Sequence, residues 1–248
     1  MEKLSSRQNG RIRHIRELAS SAELRHQENC FLCDGEKLLV EALRSGAEIE
    51  SVFWRGNRMN TYPAFPEETL LTDELFDYVS PMKNSPGPLF TVRCRETAFQ
   101  EKLSCALVLE GVQDPGNVGT VLRSADAFGT DAVILLEGCA DLYAPKTVRA
   151  TMGAIFRQNA VMMKREQLPG FCSSHGLRLL GAALSANARS VKEISLRHTA
   201  VAIGSEGRGL SRELLDLCEE TVIIPMCGEA ESLNAAVAAS VLMWEMRR

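Results

Sequence analysis

Apolar residues follow two different rhythms on either side of about residue 100. Before it, Ile12, Ile15 and Leu18 recur at helical spacing within Gln8 to Leu24, and Glu36 to Leu43 repeats that pattern after Asp34-Gly35. Between and after them stand short β-rich runs: Cys30-Phe-Leu-Cys33, Ile49-Glu-Ser-Val-Phe-Trp54, Thr69-Leu-Leu71 and Leu89-Phe-Thr-Val92. This half reads as a small α/β sandwich with helices on its surface. Beyond residue 100, continuous apolar runs at 106–109, 132–136, 177–180, 200–203 and 222–224 alternate with helices predicted from Asn117, Pro145, Ser211 and Ser232. Unbroken apolar strands alternating with helices predict a parallel sheet covered on both faces. The breaker-rich run Ser80 to Pro88 and the polar run Arg93 to Lys102 separate the halves, which sets domains at 1–95 and 104–248 with a linker at 96–103.

The last helix departs from the amphipathic rule. Leu233, Ala235, Ala236, Val237, Ala238, Ala239, Val241, Leu242, Met243 and Trp244 leave almost no polar face, and a helix apolar all round must be buried. Burial by the sheet on one side and by a second copy on the other predicts a homodimer.

Composition narrows the class. The chain has 248 residues, 45% hydrophobic and 24% charged, which is globular composition. No window approaches a membrane span and the start lacks the apolar core of a signal peptide, so a cytoplasmic protein with no membrane partner is expected. The eight cysteines are scattered through a chain without secretory features and read as mostly buried packing residues. Cys30 and Cys33 have zinc-like spacing, but without a second such pair or paired histidines no metal is expected. The net charge is -4, yet the first 16 residues carry Lys3, Arg7, Arg11, Arg13 and Arg16 against Glu2 alone. A basic arm on an acidic protein fits a nucleic-acid partner, and equally an ordinary solvated helix.

Three segments, each placed where a strand ends, carry the candidate chemistry: Asn117-Val-Gly119-Thr-Val-Leu-Arg123, Gly204-Ser-Glu206-Gly207-Arg208-Gly209, and Ile224-Pro225-Met226 leading to Ser232-Leu233-Asn234. In an open α/β sheet ligands bind beyond the carboxyl ends of strands, so the three imply one composite pocket. Asn117 also reads as a helix N-cap and Arg123 as a solvated arginine. The glycine loop, whose GxxGxG order matches neither the dinucleotide nor the phosphate-loop fingerprint, also reads as a tight strand-to-helix turn. Lys146, Arg149 and Arg157 are further cations able to meet phosphates.

In order and spacing these segments resemble the three motifs of the SpoU/TrmH family of S-adenosylmethionine-dependent RNA ribose 2'-O-methyltransferases, over about 104–248. Asn117, Gly119 and Arg123 match the first motif, Gly204 to Gly209 the second, and Ile224 to Met226 with Gly228 and Ser232 to Asn234 the third. The chain departs from relatives at Ala235-Ala236, where a β-branched residue and serine are frequent. The resemblance implies a C-terminal parallel-sheet α/β domain with a deep trefoil knot, which general connection rules argue against. It also implies a homodimer formed through that domain, and a preceding ribosomal-protein-like α/β module that binds RNA, ribosomal RNA in preference to transfer RNA.

The same resemblance assigns roles. Arg123 would meet the ribose and phosphate and assist deprotonation, Asn117 would position it, Glu206 and Ser232 would support the active-site network, and Asn234 would hold the third loop. Leu184, Gly204, Ile224, Met226 and Leu233 would hold S-adenosylmethionine. Two alternatives stay open: a knotted module that binds RNA or a nucleotide without catalysis, and a sister enzyme that methylates a transfer-RNA ribose or base.

Overall fold

The first strand, β1 (Glu2–Leu4), begins a computed structural model that describes residues 2–59, 61–185, 187–228 and 232–248. Two compact units emerge, one of Met1–Glu96 with Tyr143–Phe156, the other of Thr97–Leu142 with Arg157–Arg248. The first continues through α1 (Gly10–Ser20), α2 (Ala22–Glu28), β2 (Cys30–Asp34), α3 (Glu36–Arg44), β3 (Ile49–Arg55), β4 (Glu67–Leu71), α4 (Asp73–Val79) and β5 (Leu89–Arg93). The predicted single helix from Gln8 to Leu24 is two. Ser21 ends α1 by donating its N–H to Glu17 and starts α2 by accepting from the N–H of Leu24 on its hydroxyl, 3.1 Å away.

The sheet of this unit runs β1-β4-β3-β5-β2, parallel from β1 to β3 and antiparallel from β3 through β5 to β2. Ile12, Ile15 and Leu18 of α1 and Leu75, Phe76 and Val79 of α4 pack with Leu32, Phe53, Leu71 and Leu89. Those α1 positions are the ones whose helical spacing the sequence displays.

From Thr97 onward the chain forms β6 (Cys105–Leu109), α5 (Pro115–Phe128), β7 (Ala132–Leu135), α6 (Pro145–Ala150), β8 (Ala160–Met162), α7 (Leu168–Ser174), β9 (Arg178–Ala182), β10 (Arg189–Ser190), β11 (Thr199–Ile203), α8 (Arg212–Leu215), β12 (Glu220–Ile223) and α9 (Ala235–Met246), all but α6 in the second unit. Of these, α6 lies in the Tyr143–Phe156 segment that packs with the first unit. There Phe31 stacks on Tyr143 at 4.9 Å and on Phe156 at 6.3 Å between centroids.

All seven strands of the second sheet are parallel, in the order β10-β12-β9-β11-β6-β7-β8, as the alternating apolar runs predict. β11 is central and wholly buried, with Val201 beside Leu107 on one neighbour and Leu180 on the other. Five of the eight cysteines are buried, as packing residues would be. Burial pushes the Cys172 thiol up to about 11 and the Cys218 thiol up to about 12, so both stay neutral.

Two helix starts differ from expectation. α5 is capped by Asp114, whose side chain accepts from the N–H of Asn117, with Pro115 at the first helical position. α9 is capped by Asn234 and not Ser232, its side-chain oxygen accepting from Ala236 and Val237 at 3.0 and 3.3 Å. Gly129 ends α5 at φ 68°, the left-handed position glycine suits. α5 and α9 lie side by side and run the same way. Ser124 meets Ser240 at 2.8 Å, and near the carboxyl ends Phe128 packs edge-on against Trp244 at 5.7 Å. α9 buries Ala235, Ala236, Ala239, Leu242, Met243 and Met246, whereas Val237 is 50% and Trp244 60% exposed.

Candidate active site at the strand exits

β12, β9, β11 and β6 are consecutive in the sheet, and each releases a predicted site segment from its carboxyl end. Ile224 follows β12 directly, Leu184 lies two residues past β9, Gly204 follows β11, and the loop from Glu110 to Asp114 carries β6 into α5. The convergence expected of the three motifs is therefore a consequence of strand order.

Within the 204–209 loop the backbone folds back on itself. Ser205 and Gly209 form an antiparallel bridge, the Gly209 N–H donating to Ser205 O at 2.9 Å, and Gly209 has φ 65°. A Cβ on Gly204 would lie 2.0 Å from the carbonyl carbon of Gly209, so no other residue fits there without moving backbone. The tight turn places Glu206 at the exposed tip.

Glu206 then joins two helices. Asn117, at the third position of α5, donates from Nδ2 to Glu206 Oε1 at 2.5 Å. Asn234 donates from Nδ2 to Asn117 Oδ1 at 3.1 Å and to Glu206 Oε1 at 3.3 Å. The N–H of Ala235, first residue of α9, reaches the same carboxylate oxygen at 3.4 Å. A carboxylate suits this place because the starts of two helices meet there, with their free N–H groups and positive dipole ends. The amide orientations follow from the bonding. Asn234 Oδ1 is taken by two backbone donors, so its Nδ2 must face acceptors, and Asn117 Oδ1 is the acceptor it finds. Asn117 is thus a latch between motifs, and its reading as an N-cap is replaced by Asp114.

Arg123 lies six residues beyond Asn117, about 9 Å along the helix axis and roughly 120° round from the face that meets α9. It is exposed and makes no hydrogen bond or ion pair with a described residue. Side chains on a helix lean toward its amino end, so Arg123 leans back toward the strand exits. Ser232 is exposed and Leu233 half-buried, just before the Asn234 cap, while residues 229–231 lie outside the described residues. Of the residues expected to hold a cofactor, Gly204 is buried, Ile224 half-buried, and Leu184 and Met226 are exposed apolar side chains, Leu184 at 69%. Ser185, just past β9, meets Thr221 within β12 by a 2.8 Å hydroxyl contact.

Sequence reasoning missed Glu110 and Arg165. Glu110, directly after β6, accepts from the backbone N–H and the hydroxyl of Ser211, both at 2.7 Å, and Arg165 Nη1 donates to the same hydroxyl at 3.0 Å. Ser211 caps α8 directly beyond the glycine loop, so Glu110 ties the first exit to the second. The available signal was a charged residue ending an otherwise apolar strand before Gly111. A cavity of about 620 Å³, lined by Lys192, Arg197, Glu245 and Arg248 among others, has no predicted site residue in its lining. Among the described residues, no group of three or more histidines, cysteines or acids is placed to hold a metal, and no helix is long and apolar enough to cross a membrane.

Comparisons with known proteins agree with this layout. The chain is 32% identical to the 23S rRNA (guanosine(2553)-2'-O)-methyltransferase RlmP of Bacillus subtilis, with all of both chains covered. Its fold is similar to the AdoMet-bound rRNA methyltransferase from Sinorhizobium meliloti, with a TM-score of 0.86, 25% identity, and 99% and 97% of the two chains covered. It is also similar to the SpoU methyltransferase AviRb from Streptomyces viridochromogenes in complex with AdoMet, with a TM-score of 0.81, 25% identity, and 96% and 98% covered. Residues 104–244, which contain every motif described above, match the model of the SpoU rRNA Methylase family, and the chain belongs to that family.

Proposed function

We propose that this protein transfers the methyl group of S-adenosylmethionine to a ribose 2'-hydroxyl of structured RNA, ribosomal RNA in preference to transfer RNA. The observation that carries the reading is the closed set of bonds among Asn117, Glu206 and Asn234, which ties all three motifs of a SpoU family chain to one place. Similarity over full length to a ribosomal RNA 2'-O-methyltransferase supports the substrate class.

The residues fit the cofactor. Leu184, Ile224, Met226 and Leu233 offer flat apolar contact for an adenine at neighbouring strand exits, and the glycine loop lets backbone approach a ligand closely. When bound, S-adenosylmethionine supplies an electrophilic methyl on a sulfonium. The chain's own part is to orient the sugar oxygen and manage its proton. Arg123, always cationic, meets the ribose and phosphate and stabilises the oxyanion that forms, with an RNA phosphate taking part in proton removal. Glu206, Asn117 and Asn234 keep the first and third loops in register, and Ser232 supports that network.

In this reading residues 1–95 form the RNA substrate-binding domain, 96–103 the linker, and 104–248 the methyltransferase domain with its trefoil knot. A second copy covers the open apolar face of α9 at Val237 and Trp244, and the homodimer acts in the cytoplasm. The test is to map alkali-resistant 2'-O-methyl positions in ribosomal and transfer RNA from cells with and without the gene. One ribosomal position should lose resistance without the gene and regain it on treatment with purified protein and S-adenosylmethionine. An unchanged map refutes the reading.

A further inference from the structure

The helices of the first unit carry a group of cations that the proposed chemistry does not use. α1 has two sides. On one, Arg11 pairs with Glu2 and Glu67 at 3.4 and 3.5 Å, and His14 lies 3.1 Å from Glu28. On the other, Arg16, together with Arg7 from the turn before the helix, lies over the ring of Tyr78 on α4, the guanidinium carbons 4.0 and 4.3 Å from its centroid. Among the described residues, no carboxylate pairs with either arginine. Asp73 and Asp77 of α4 are engaged by Arg55 at 3.0 and 2.7 Å.

We infer that Arg7 and Arg16, held on the ring of Tyr78, form a clamp for the phosphate backbone of the RNA substrate. The inference rests on the proposed function for its ligand class and names a surface which that reading leaves open. The geometry is specific to an anion with several acceptors. A carboxylate partner would consume the in-plane N–H groups of a guanidinium, whereas an aromatic ring holds its face and leaves those donors outward. Planar forks presented this way match the oxygens of a phosphate. Two cations within about 8 Å of each other, both near one ring, repel until an anion joins them. Arg13, one turn before Arg16 and exposed, extends the same side. The chain's net charge of -4 makes this local excess stand out against its surroundings.

The test compares the full-length protein with its Arg7→Gln/Arg16→Gln form, using an unmodified 23S ribosomal RNA transcript in filter binding between about 50 and 200 mM salt. Both arginines are exposed, so the fold should be kept. Loss of two phosphate contacts should weaken binding about tenfold or more and flatten the slope of log affinity against log salt by roughly 1.5. The KM for RNA should rise while kcat stays within about twofold, and S-adenosylmethionine binding measured by calorimetry should be unchanged. Tyr78→Phe, which keeps the ring, should hold the wild-type slope, and Tyr78→Leu should fall between the wild type and the double variant. An unchanged slope and KM in the double variant, with the wild type binding and methylating RNA, overturns the clamp. The same holds if polyglutamate binding is lost and RNA binding is not. A wild type that binds no RNA overturns the proposed function itself.

Discussion

The two units use polar side chains in opposite ways. In the second, Asn117, Glu206 and Asn234 turn toward one another across 89 and 117 residues of chain and satisfy each other's donors and acceptors. In the first, Arg7 and Arg16 are exposed over Tyr78 and, among the described residues, pair with no carboxylate. The inward set needs rigid support, and it has it: a glycine where a Cβ meets backbone at 2.0 Å, and two helix starts converging on one carboxylate. The outward set needs only charge and a ring. Changes in the second unit should therefore act on turnover, and changes in the first on RNA affinity and its salt dependence.

The sharpest way to break this contrast is at Gly204. Gly204→Ala forces the 205–209 turn open, because the contact is with backbone and not with a side chain that can move. Methyl transfer should fall below detection, S-adenosylmethionine binding should be lost in calorimetry, and the melting temperature should drop by several degrees, about 2 kcal/mol or more of strain. Retained binding would show that the loop is not the rigid support claimed for it.

Arg123→Ala should come next. Methyl transfer should fall by about a thousandfold, the scale of losing a group that stabilises developing charge, while cofactor affinity changes little. Turnover like the wild type removes Arg123 from the mechanism. Below it stands Asn234→Asp, which separates capping from latching. Aspartate caps a helix as well as asparagine does, so the capping contribution to stability should be kept. The variant loses the donors to Asn117 and Glu206 and sets a carboxylate against a carboxylate, so turnover should fall roughly a hundredfold. Trp244→Glu should act on assembly, shifting the sedimenting species from dimer to monomer at micromolar concentration. A wild type that is monomeric there refutes the dimer.

How much of this was legible in the sequence depended on how local the cause was. The parallel sheet and its order of helices were visible because fully buried strands are apolar without interruption, as at Cys105–Leu109 and Thr199–Ile203. The strands Glu2–Leu4, Ala160–Met162 and Arg189–Ser190 have only two or three residues, too few to show a period. α7 hides behind Pro169 and Gly170, and α4 behind the short run Leu75-Phe76. The cap errors arose where two capable residues stand within three positions, Asp114 near Asn117 and Ser232 near Asn234, since local chemistry does not rank them. Glu110 was missed because its partner Ser211 is 101 residues away. Nor does the pattern of Tyr143–Phe156 reveal that this segment packs with the first unit, because that depends on Phe31 offering its ring.

The smallest effect sharpens the contrast from inside the first unit, at a carboxylate that faces inward. Asp34 is buried, accepts from the hydroxyls of Ser80 at 2.6 Å and of Ser85, and feels the charge of Arg149. Burial outweighs these and raises its pKa from the ordinary aspartate value. A raised value means the folded state holds this proton more tightly than the unfolded chain. The resulting stability is complete below the unfolded value of about 3.9 and is lost as pH rises through the raised one. Asp34→Asn removes the titration while keeping an acceptor for one hydroxyl and a donor for the other. The melting temperature of the variant relative to the wild type should therefore be highest near pH 7 to 8 and fall as pH approaches 4. A constant difference across that range would mean that Asp34 is stabilised in its charged form as fully as in water. The first unit would then hold an inward polar site as well supported as the one at the strand exits of the second.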